Sequence, residues 1–181
     1  MERNYETRHI FMAIGICIAL ASPFLLIFLP NTIANIAHHT PGVWDVFVPR
    51  ENYIVYGIGF LLLFIAAMLL FILDIRKVPI IISTVFVLLS VITFFIASQS
   101  YKSLSDDAIS YSPLFSISDH IYSWEELDRV IYHQNKGFPE YEFLFNDGNH
   151  MRLYRNAYFN EIQSLFYYKL KEINVNIERN E

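Results

Sequence analysis

The chain has 181 residues, of which 54% are hydrophobic and 17% are charged, and its net charge is -5. Soluble domains contain about 45–50% apolar and about 25% charged residues, so the chain as a whole does not have the composition of a soluble protein. The negative charge argues against nucleic acid as a partner, because phosphate binding needs clustered Lys and Arg. A single cysteine, Cys17, excludes an intramolecular disulfide.

Three apolar stretches predict membrane spans at about residues 10–29, 53–73 and 78–98. Each contains about 20 residues, which is the length that crosses a hydrocarbon core of roughly 30 Å. The link Asp74–Lys77 is so short that the second and third spans must form a helical hairpin. Residues 1–98 are therefore predicted to be a membrane domain, a bundle of three transmembrane helices.

The loop between the first two spans, residues 30–52, contains several prolines and many apolar side chains. The prolines predict that this loop is not one continuous helix. Its apolar side chains predict that it lies along the membrane interface, with Trp44 and Tyr53 among the interfacial aromatic residues. The adjacent His38 and His39 are read as solvated side chains rather than as metal ligands.

Positive charges set the expected topology, because Lys and Arg in short loops prefer the cytoplasmic side. Arg3 and Arg8 precede the first span, Arg76 and Lys77 lie in the hairpin link, and the first loop contains only Arg50. The N-terminus and the link are therefore expected in the cytoplasm of a cell whose membrane the chain crosses several times. With three spans, the C-terminal domain is expected on the extracytoplasmic side.

Residues 99–106 are read as a linker, and residues 107–181 as a small α+β domain. Alternating apolar and polar side chains predict strands near residues 109–111, 115–121, 130–132, 141–145 and 151–153. Asn146–Asn149 predicts a hairpin, in which Asp-Gly would form a type I′ turn. Apolar side chains at spacings of three and four after Asn156 predict one amphipathic helix, whose apolar stripe would include Tyr158, Phe159, Ile162, Leu165, Phe166, Leu170 and Ile173. The expected fold is an antiparallel sheet closed by this helix.

This order of elements resembles the small bacterial PH-like domains that are attached to membrane helices. Asp107–Pro113 resembles their opening strand, and Ile121–Leu127 resembles the Trp-acidic-aliphatic segment that enters their next strand. The Phe145–Gly148 hairpin followed by a closing helix completes the resemblance, which covers roughly residues 104–175. It implies binding or assembly rather than catalysis, and it assigns no ligand-binding residues.

Four neighbouring residues are the candidates for partner binding: Tyr122, Trp124, Glu125 and Glu126. An exposed Trp is typical of interface hot spots, but Trp is also typical of a packed core. The acidic residues would form a small patch, for which a solvated strand edge is the alternative. His120, His133 and His150 lie on different predicted strands, and nothing in their spacing requires a zinc site.

No nucleophile motif, phosphate-binding loop or cofactor motif is present in the sequence, so no cofactor is expected. The first hypothesis is a non-enzymatic multi-pass membrane protein whose PH-like domain serves binding or assembly. Its expected partners are the lipid bilayer and either another protein or a second copy of the chain. One alternative is an accessory subunit of a transport or export system, or a toxin-immunity protein, that acts through its spans. Another is a membrane-surface enzyme, which would need Glu125 and Asp128 to meet His120 or His150 in a cleft.

Overall fold

The computed structural model describes residues 7–116, 118–134 and 138–180. They form two compact units, a helical unit of residues 7–33 and Pro49–Gln99 and a sheet unit of Ala34–Val48 and residues 100–180. The elements follow in chain order: α1 (Arg8–His38), β1 (Val43–Phe47), α2 (Arg50–Ile72), α3 (Lys77–Gln99), β2 (Tyr101–Ser105), β3 (Ala108–Ser112), β4 (His120–Ser123), a short 3₁₀ helix (Trp124–Glu126), β5 (Leu127–His133), β6 (Glu140–Phe145), β7 (His150–Tyr154), α4 (Ala157–Glu172) and β8 (Ile177–Asn180). A helical N-terminal part with a small sheet domain is therefore confirmed.

Helices α1, α2 and α3 are each long and apolar enough to cross a membrane, as predicted. The α2–α3 hairpin is held by buried polar side chains that donate to backbone carbonyls of the facing helix. These bonds are Ser83 Oγ to Ala66 O (2.7 Å), Ser90 Oγ to Gly59 O (2.8 Å) and Asn52 Nδ2 to Ala97 O (2.9 Å). Such bonds are typical of membrane helices, because lipid offers no alternative partner to a hydroxyl or an amide.

The first helix begins beside the link between α2 and α3. Arg8 Nη1 lies 3.3 Å from Asp74 Oδ1, and the His9 ring lies 6.1 Å from the Phe71 ring. Arg76 is a second, more distant partner of Asp74, at 4.0 Å. Arg8 and Arg76 therefore lie at the same end of the helical unit, on either side of Asp74.

The first helix does not end at residue 29, as the sequence predicted, but continues to His38 with Pro23 and Pro30 inside it. A proline removes only one backbone hydrogen bond, and neighbouring helices and polar side chains can compensate for this loss. Thr32 Oγ1 donates to the Phe28 carbonyl at 2.9 Å within this region. The predicted end of the first span was wrong for this reason, whereas residues 30–52 as a whole do not form one continuous helix, as predicted, because the chain leaves α1 after His38 and then forms β1.

The predicted interfacial loop and the predicted linker both contribute strands to the sheet unit. Strand β1 pairs antiparallel with β2, with Phe47 opposite Lys102. The C-terminal domain therefore does not begin at residue 107, because it also includes β2 and the Ala34–Val48 segment. Neither strand was recognised in the sequence, since the partners β1 and β2 are separated in the chain by the whole α2–α3 hairpin.

Two four-stranded sheets replace the single sheet of four to five strands that was predicted. Their orders are β1-β2-β3-β4 and β7-β6-β5-β8. All pairs are antiparallel except β5 and β8, which run parallel, so the expectation of a purely antiparallel sheet was incomplete. The predicted strand at 115–121 is replaced by a turn around Phe115 and the shorter strand β4. Ile117, and Gly137 of a predicted turn, lie outside the described residues.

The Asn146–Asn149 hairpin is present, but its turn is not type I′. Only Gly148 has a positive φ, of 86°, whereas a type I′ turn needs positive φ at both central residues. Gly148 N–H donates to Phe145 O at 2.9 Å, so the central residues of the turn are Asn146 and Asp147, and Gly148 follows them. The final helix begins as predicted, because Asn156 Oδ1 accepts the Phe159 N–H at 2.9 Å.

The core of the sheet unit is rich in aromatic rings. Phe143, Phe159 and Phe166 are each fully buried, and the Phe166 ring lies 5.3 Å from Phe159 and 5.6 Å from Phe143. Helix α4 supplies Phe159, Ile162, Phe166 and Leu170 to this core. The helix therefore contributes much of the apolar volume that two small sheets alone would lack.

Candidate functional site

Two of the four candidate partner-binding residues are core residues. Tyr122 is 8% exposed and Trp124 is 2% exposed. Trp124 Nε1–H donates to Ser105 O at 2.9 Å, and its ring lies 5.5 Å from the ring of Trp44. The role of Trp124 is therefore packing, and neither residue can act as a surface anchor in this structure.

The Tyr122 hydroxyl organises the β6–β7 hairpin. It donates to Asp147 Oδ2 at 2.7 Å and accepts from Asn149 Nδ2 at 2.8 Å. Its ring is stacked on Phe145 with centroids 3.9 Å apart. Hydrogen bonds from the Asn149 backbone and from Tyr122 hold the pKa of Asp147 below its usual value. This network fixes the turn, and its polar atoms form hydrogen bonds with one another.

The two acidic candidates, Glu125 and Glu126, are exposed. Glu126 Oε2 accepts the Ser123 N–H at 2.7 Å, so this carboxylate caps the 3₁₀ helix. Nearby, Asp128 pairs with Arg129 at 3.2 Å. Glu125 is the candidate that best fits the predicted surface position, whereas Glu126 accepts a backbone N–H and Asp128 pairs with a neighbouring side chain.

The three histidines of the sheet unit have different surroundings. His120 is stacked on Tyr111 with centroids 4.9 Å apart, His133 Nε2 lies 2.8 Å from Glu142 Oε2, and His150 is exposed at the start of β7. Among the residues that the structure describes, no group of three or more His, Cys, Asp or Glu side chains is placed to hold a metal ion.

A partly buried ionic cluster that spans β5, β6 and β7 was not predicted from the sequence. Arg152 Nε lies 3.0 Å from Glu142 Oε1, and Arg152 Nη1 lies 3.7 Å from Glu140 Oε1. His133 completes the cluster through Glu142. The available signal was the alternation of Glu140 and Glu142 in β6, but it becomes informative only when the register places Arg152 opposite Glu142.

The charges within this ionic cluster compensate one another. Burial raises the pKa of Glu142, but hydrogen bonds from His133 and Arg152 outweigh it, so that the pKa of Glu142 lies below its usual value. The hydrogen bond to Glu142 raises the pKa of Arg152. A carboxylate held in its ionised form by two donors is a weak proton acceptor, so the cluster has the character of a structural ion pair.

One surface of the sheet unit is unusually apolar, the side of α4 that faces away from the core. Tyr158, Leu165 and Tyr168 are 50%, 47% and 72% exposed. An α-helix turns about 100° per residue, which places these three side chains on one stripe together with Glu161 and Glu172. We call these five residues the aromatic–acidic face.

The aromatic–acidic face corrects the predicted apolar stripe of α4, which assigned Tyr158 and Leu165 to the core. Both residues precede a core residue by one position, Phe159 and Phe166. Each therefore lies about 100° from that core residue and about 40–60° from buried Ile162, at the edge of the buried stripe. Spacing alone could not separate them, because seven apolar residues in this segment form a stripe too wide for the core to cover completely.

Comparison of the chain with protein-family models and with curated proteins finds no match. The function of the chain is therefore inferred from its own geometry. Within that geometry, the polar clusters around Tyr122 and Glu142 are bonded internally, whereas the aromatic–acidic face exposes large apolar groups to its surroundings.

Proposed function

We propose that this chain is a non-enzymatic multi-pass membrane protein whose PH-like sheet unit binds a partner protein through the aromatic–acidic face of α4. The observation that carries the proposal is the exposure of Tyr158, Leu165 and Tyr168 along one helix. Contiguous exposed apolar side chains that are rimmed by polar ones are typical of protein interaction sites. Tyrosine is among the residues that most often dominate binding energy.

The order of the strands and of α4 supports the PH-like part of the proposal. Strands β1–β4 form one antiparallel meander, β5–β7 form another, and α4 follows. The segment Asp107–Pro113 contains β3, and Ile121–Leu127 runs from β4 through the 3₁₀ helix into β5. These are the segments on which the resemblance depends, and their place within a meander followed by one helix agrees with it.

The internal bonding of the polar clusters supports a role without catalysis. The Asp147 carboxylate is hydrogen-bonded to Tyr122 and Asn149, and the Glu142 carboxylate is hydrogen-bonded to His133 and Arg152. A catalytic acid or base needs a proton affinity matched to its task and access to a substrate. Carboxylates stabilised in the ionised form lack the first of these properties.

The charge of the aromatic–acidic face indicates the chemistry of its partner. Glu161 and Glu172 lie on the same stripe as the exposed rings, and Glu172 pairs with Lys169 at 3.0 Å. A second copy of the chain packed face to face would bring like charges together, which disfavours association. A partner surface with an apolar groove and basic residues at its rim fits better.

The test is photo-crosslinking in intact cells with a benzophenone side chain at position 168 of the full-length protein. We expect Tyr168 substituted in this way to form an adduct with a different protein. The same group at Glu125, which is also exposed but on the 3₁₀ helix, is the matched control and should not form that adduct. Leu165→Ser should decrease the adduct strongly without decreasing the amount of protein in the membrane.

Three outcomes would contradict the proposed site. They are no adduct at Tyr168, an equal adduct at Glu125, and an adduct that is unchanged by Leu165→Ser. An adduct of twice the mass of the chain would replace the partner with a second copy. A cellular phenotype that is retained in Leu165→Ser would favour the alternative in which the spans alone act in transport, export or toxin immunity.

We further propose that the sheet unit lies on the extracytoplasmic side of the cell membrane and the N-terminus in the cytoplasm. Because β1 precedes α2 and β2 follows α3, their pairing requires both strands to be on one side of the membrane. The hairpin must then cross an even number of times, so α2 and α3 either both span or both do not. Arg8, Arg76 and Lys77 at the opposite end of the hairpin favour the cytoplasm for that end.

Cysteine labelling tests this topology. In a Cys17→Ser background, Asp107→Cys should react with a membrane-impermeant maleimide added to intact cells, because Asp107 is exposed in the β2–β3 turn. Lys77→Cys, in the link, should react only after the cells are opened. The reverse pattern would place the sheet unit in the cytoplasm.

A further inference from the structure

The end of the first sheet from which the chain continues into the spans can be identified from the strand register. Phe47 lies opposite Lys102, and Tyr101 lies opposite Ser112. Helix α2 begins three residues after Phe47, and α3 ends two residues before Tyr101. This end of the sheet is therefore tied to the membrane-spanning chain at two adjacent strands.

The β3–β4 loop leaves the sheet at this same end. It begins after Ser112, the partner of Tyr101, and returns at His120, the partner of Tyr111. Phe115, the one aromatic residue in the sequence of this loop, is 72% exposed. Ser116 N–H donates to Pro113 O at 3.0 Å, which closes a turn around Leu114 and Phe115.

The conformation of Phe115 is unusual for its side chain. Its φ is 66°, a left-handed conformation that favours glycine and that bulky side chains rarely adopt. Folding into the core cannot explain this conformation, because the ring is mostly outside the protein. An exposed aromatic ring held in a disfavoured backbone conformation needs an environment in which exposure is favourable.

The chain places that environment within reach. Helix α3 has 23 residues, or about 35 Å, and a helix of this length that crosses a hydrocarbon core of roughly 30 Å along its normal ends in the headgroup layer. A path from Gln99 to Phe115 runs two residues along the chain to Tyr101, across the strand pair to Ser112, and three residues along the chain to Phe115. This path extends about 23 Å at most, and any bend in the loop shortens it.

We propose that Leu114 and Phe115 insert into the interfacial layer of the bilayer that the helices cross. The β3–β4 loop is then a membrane contact of the sheet unit in addition to its chain connections. Aromatic side chains are frequent in this layer, and a few apolar side chains can insert into it without the segment crossing the bilayer. The segment Pro113–Ser116 contains no charged residue, which removes the main cost of such insertion.

The test uses the full-length protein in phosphatidylcholine–phosphatidylglycerol liposomes, some of which contain lipid brominated near the carbonyl groups. Phe115→Trp keeps an aromatic ring at the tip. Trp44 and Trp124 contribute the same background to every variant and are subtracted. We expect the added emission to be quenched at least twofold more by brominated lipid than that of Asp107→Trp, which lies at the opposite end of β2 and β3.

Leu114→Trp provides a second measurement if Phe115→Trp disturbs the turn, and its emission should also be quenched. The inference is overturned if neither tryptophan in the loop is quenched more than the one at Asp107. It is also overturned if all three positions are quenched equally, because the contact would then not be specific to the loop. Neither result bears on the aromatic–acidic face of α4, which the crosslinking experiment tests independently.

Discussion

The helical unit and the sheet unit achieve close packing in opposite ways. In the helical unit, close approach depends on small residues: a Cβ atom at Gly59 would lie 2.5 Å from the Phe94 ring, and Ser90 donates to the Gly59 carbonyl. In the sheet unit, the interior is filled by large rings such as Phe166. Lipid removes most of the hydrophobic driving force between helices, whereas water supplies it to the core of the sheet unit.

The comparison predicts that the sheet unit is most sensitive to loss of volume. Phe166→Ala removes a fully buried ring that contacts four other rings of the core, those of Trp124, Tyr141, Phe143 and Phe159. We expect the free energy of unfolding of the sheet unit to fall by about 3–5 kcal/mol. Urea titration of the full-length protein in detergent, followed by near-ultraviolet circular dichroism, measures this change.

Leu165→Ala is the matched control for Phe166→Ala, because it shortens the adjacent but exposed side chain of the same helix. It should change the free energy of unfolding by no more than about 0.5 kcal/mol. Similar losses for the two variants would mean that the exposed face of α4 is as tightly packed as the core, which would also argue against a free binding surface there.

The helical unit should instead be most sensitive to gain of volume. Gly59→Ala adds one methyl group against the Phe94 ring, which is itself held between Tyr56 and Phe60 at centroid distances of 5.8 and 5.0 Å. Because this ring cannot move without disturbing its neighbours, we expect the helical unit to be destabilised by about 1–3 kcal/mol. Unfolding in mixed micelles with increasing fractions of sodium dodecyl sulfate measures the change.

Gly57→Ala is the control for Gly59→Ala, since a Cβ atom there would meet only Leu26 Cδ1 at an ordinary 3.9 Å. Alanine favours the helix over glycine, so this variant should be neutral or slightly stabilising. If Gly59→Ala were equally well tolerated, close helix approach would not be the basis of packing in this unit, and the contrast with the sheet unit would fail.

The sequence alone was sufficient where a signal is local. Three apolar runs of membrane-spanning length predicted α1, α2 and α3, because hydropathy needs no knowledge of neighbours. The N-cap Asn156 and the hairpin around Gly148 were likewise predicted from chemistry within a few residues. The turn type was missed, because Asp147 does not take the positive φ that Asp-Gly most often signals in a two-residue loop.

Prediction failed where a partner is distant in the chain. Val43–Phe47 was predicted to lie along the membrane interface, and its apolar composition alone could not show that it forms a strand, because the strand depends on pairing with β2. The same holds for the parallel pairing of β8 with β5 and for the ionic cluster around Glu142. Trp124 could equally be an exposed anchor or a core residue until burial was known.

The position of the α2–α3 hairpin between two paired strands has a consequence for biogenesis. During synthesis, β1 is made before both helices and β2 after them, so β1 stays without its partner until the hairpin is complete. If only one helix of the hairpin were translocated, β1 and β2 would be stranded in different compartments and the first sheet could not be completed. Completion of the sheet therefore requires that α2 and α3 are either both inserted or both left out, and a chain in which only one of them is inserted would leave β1 unpaired.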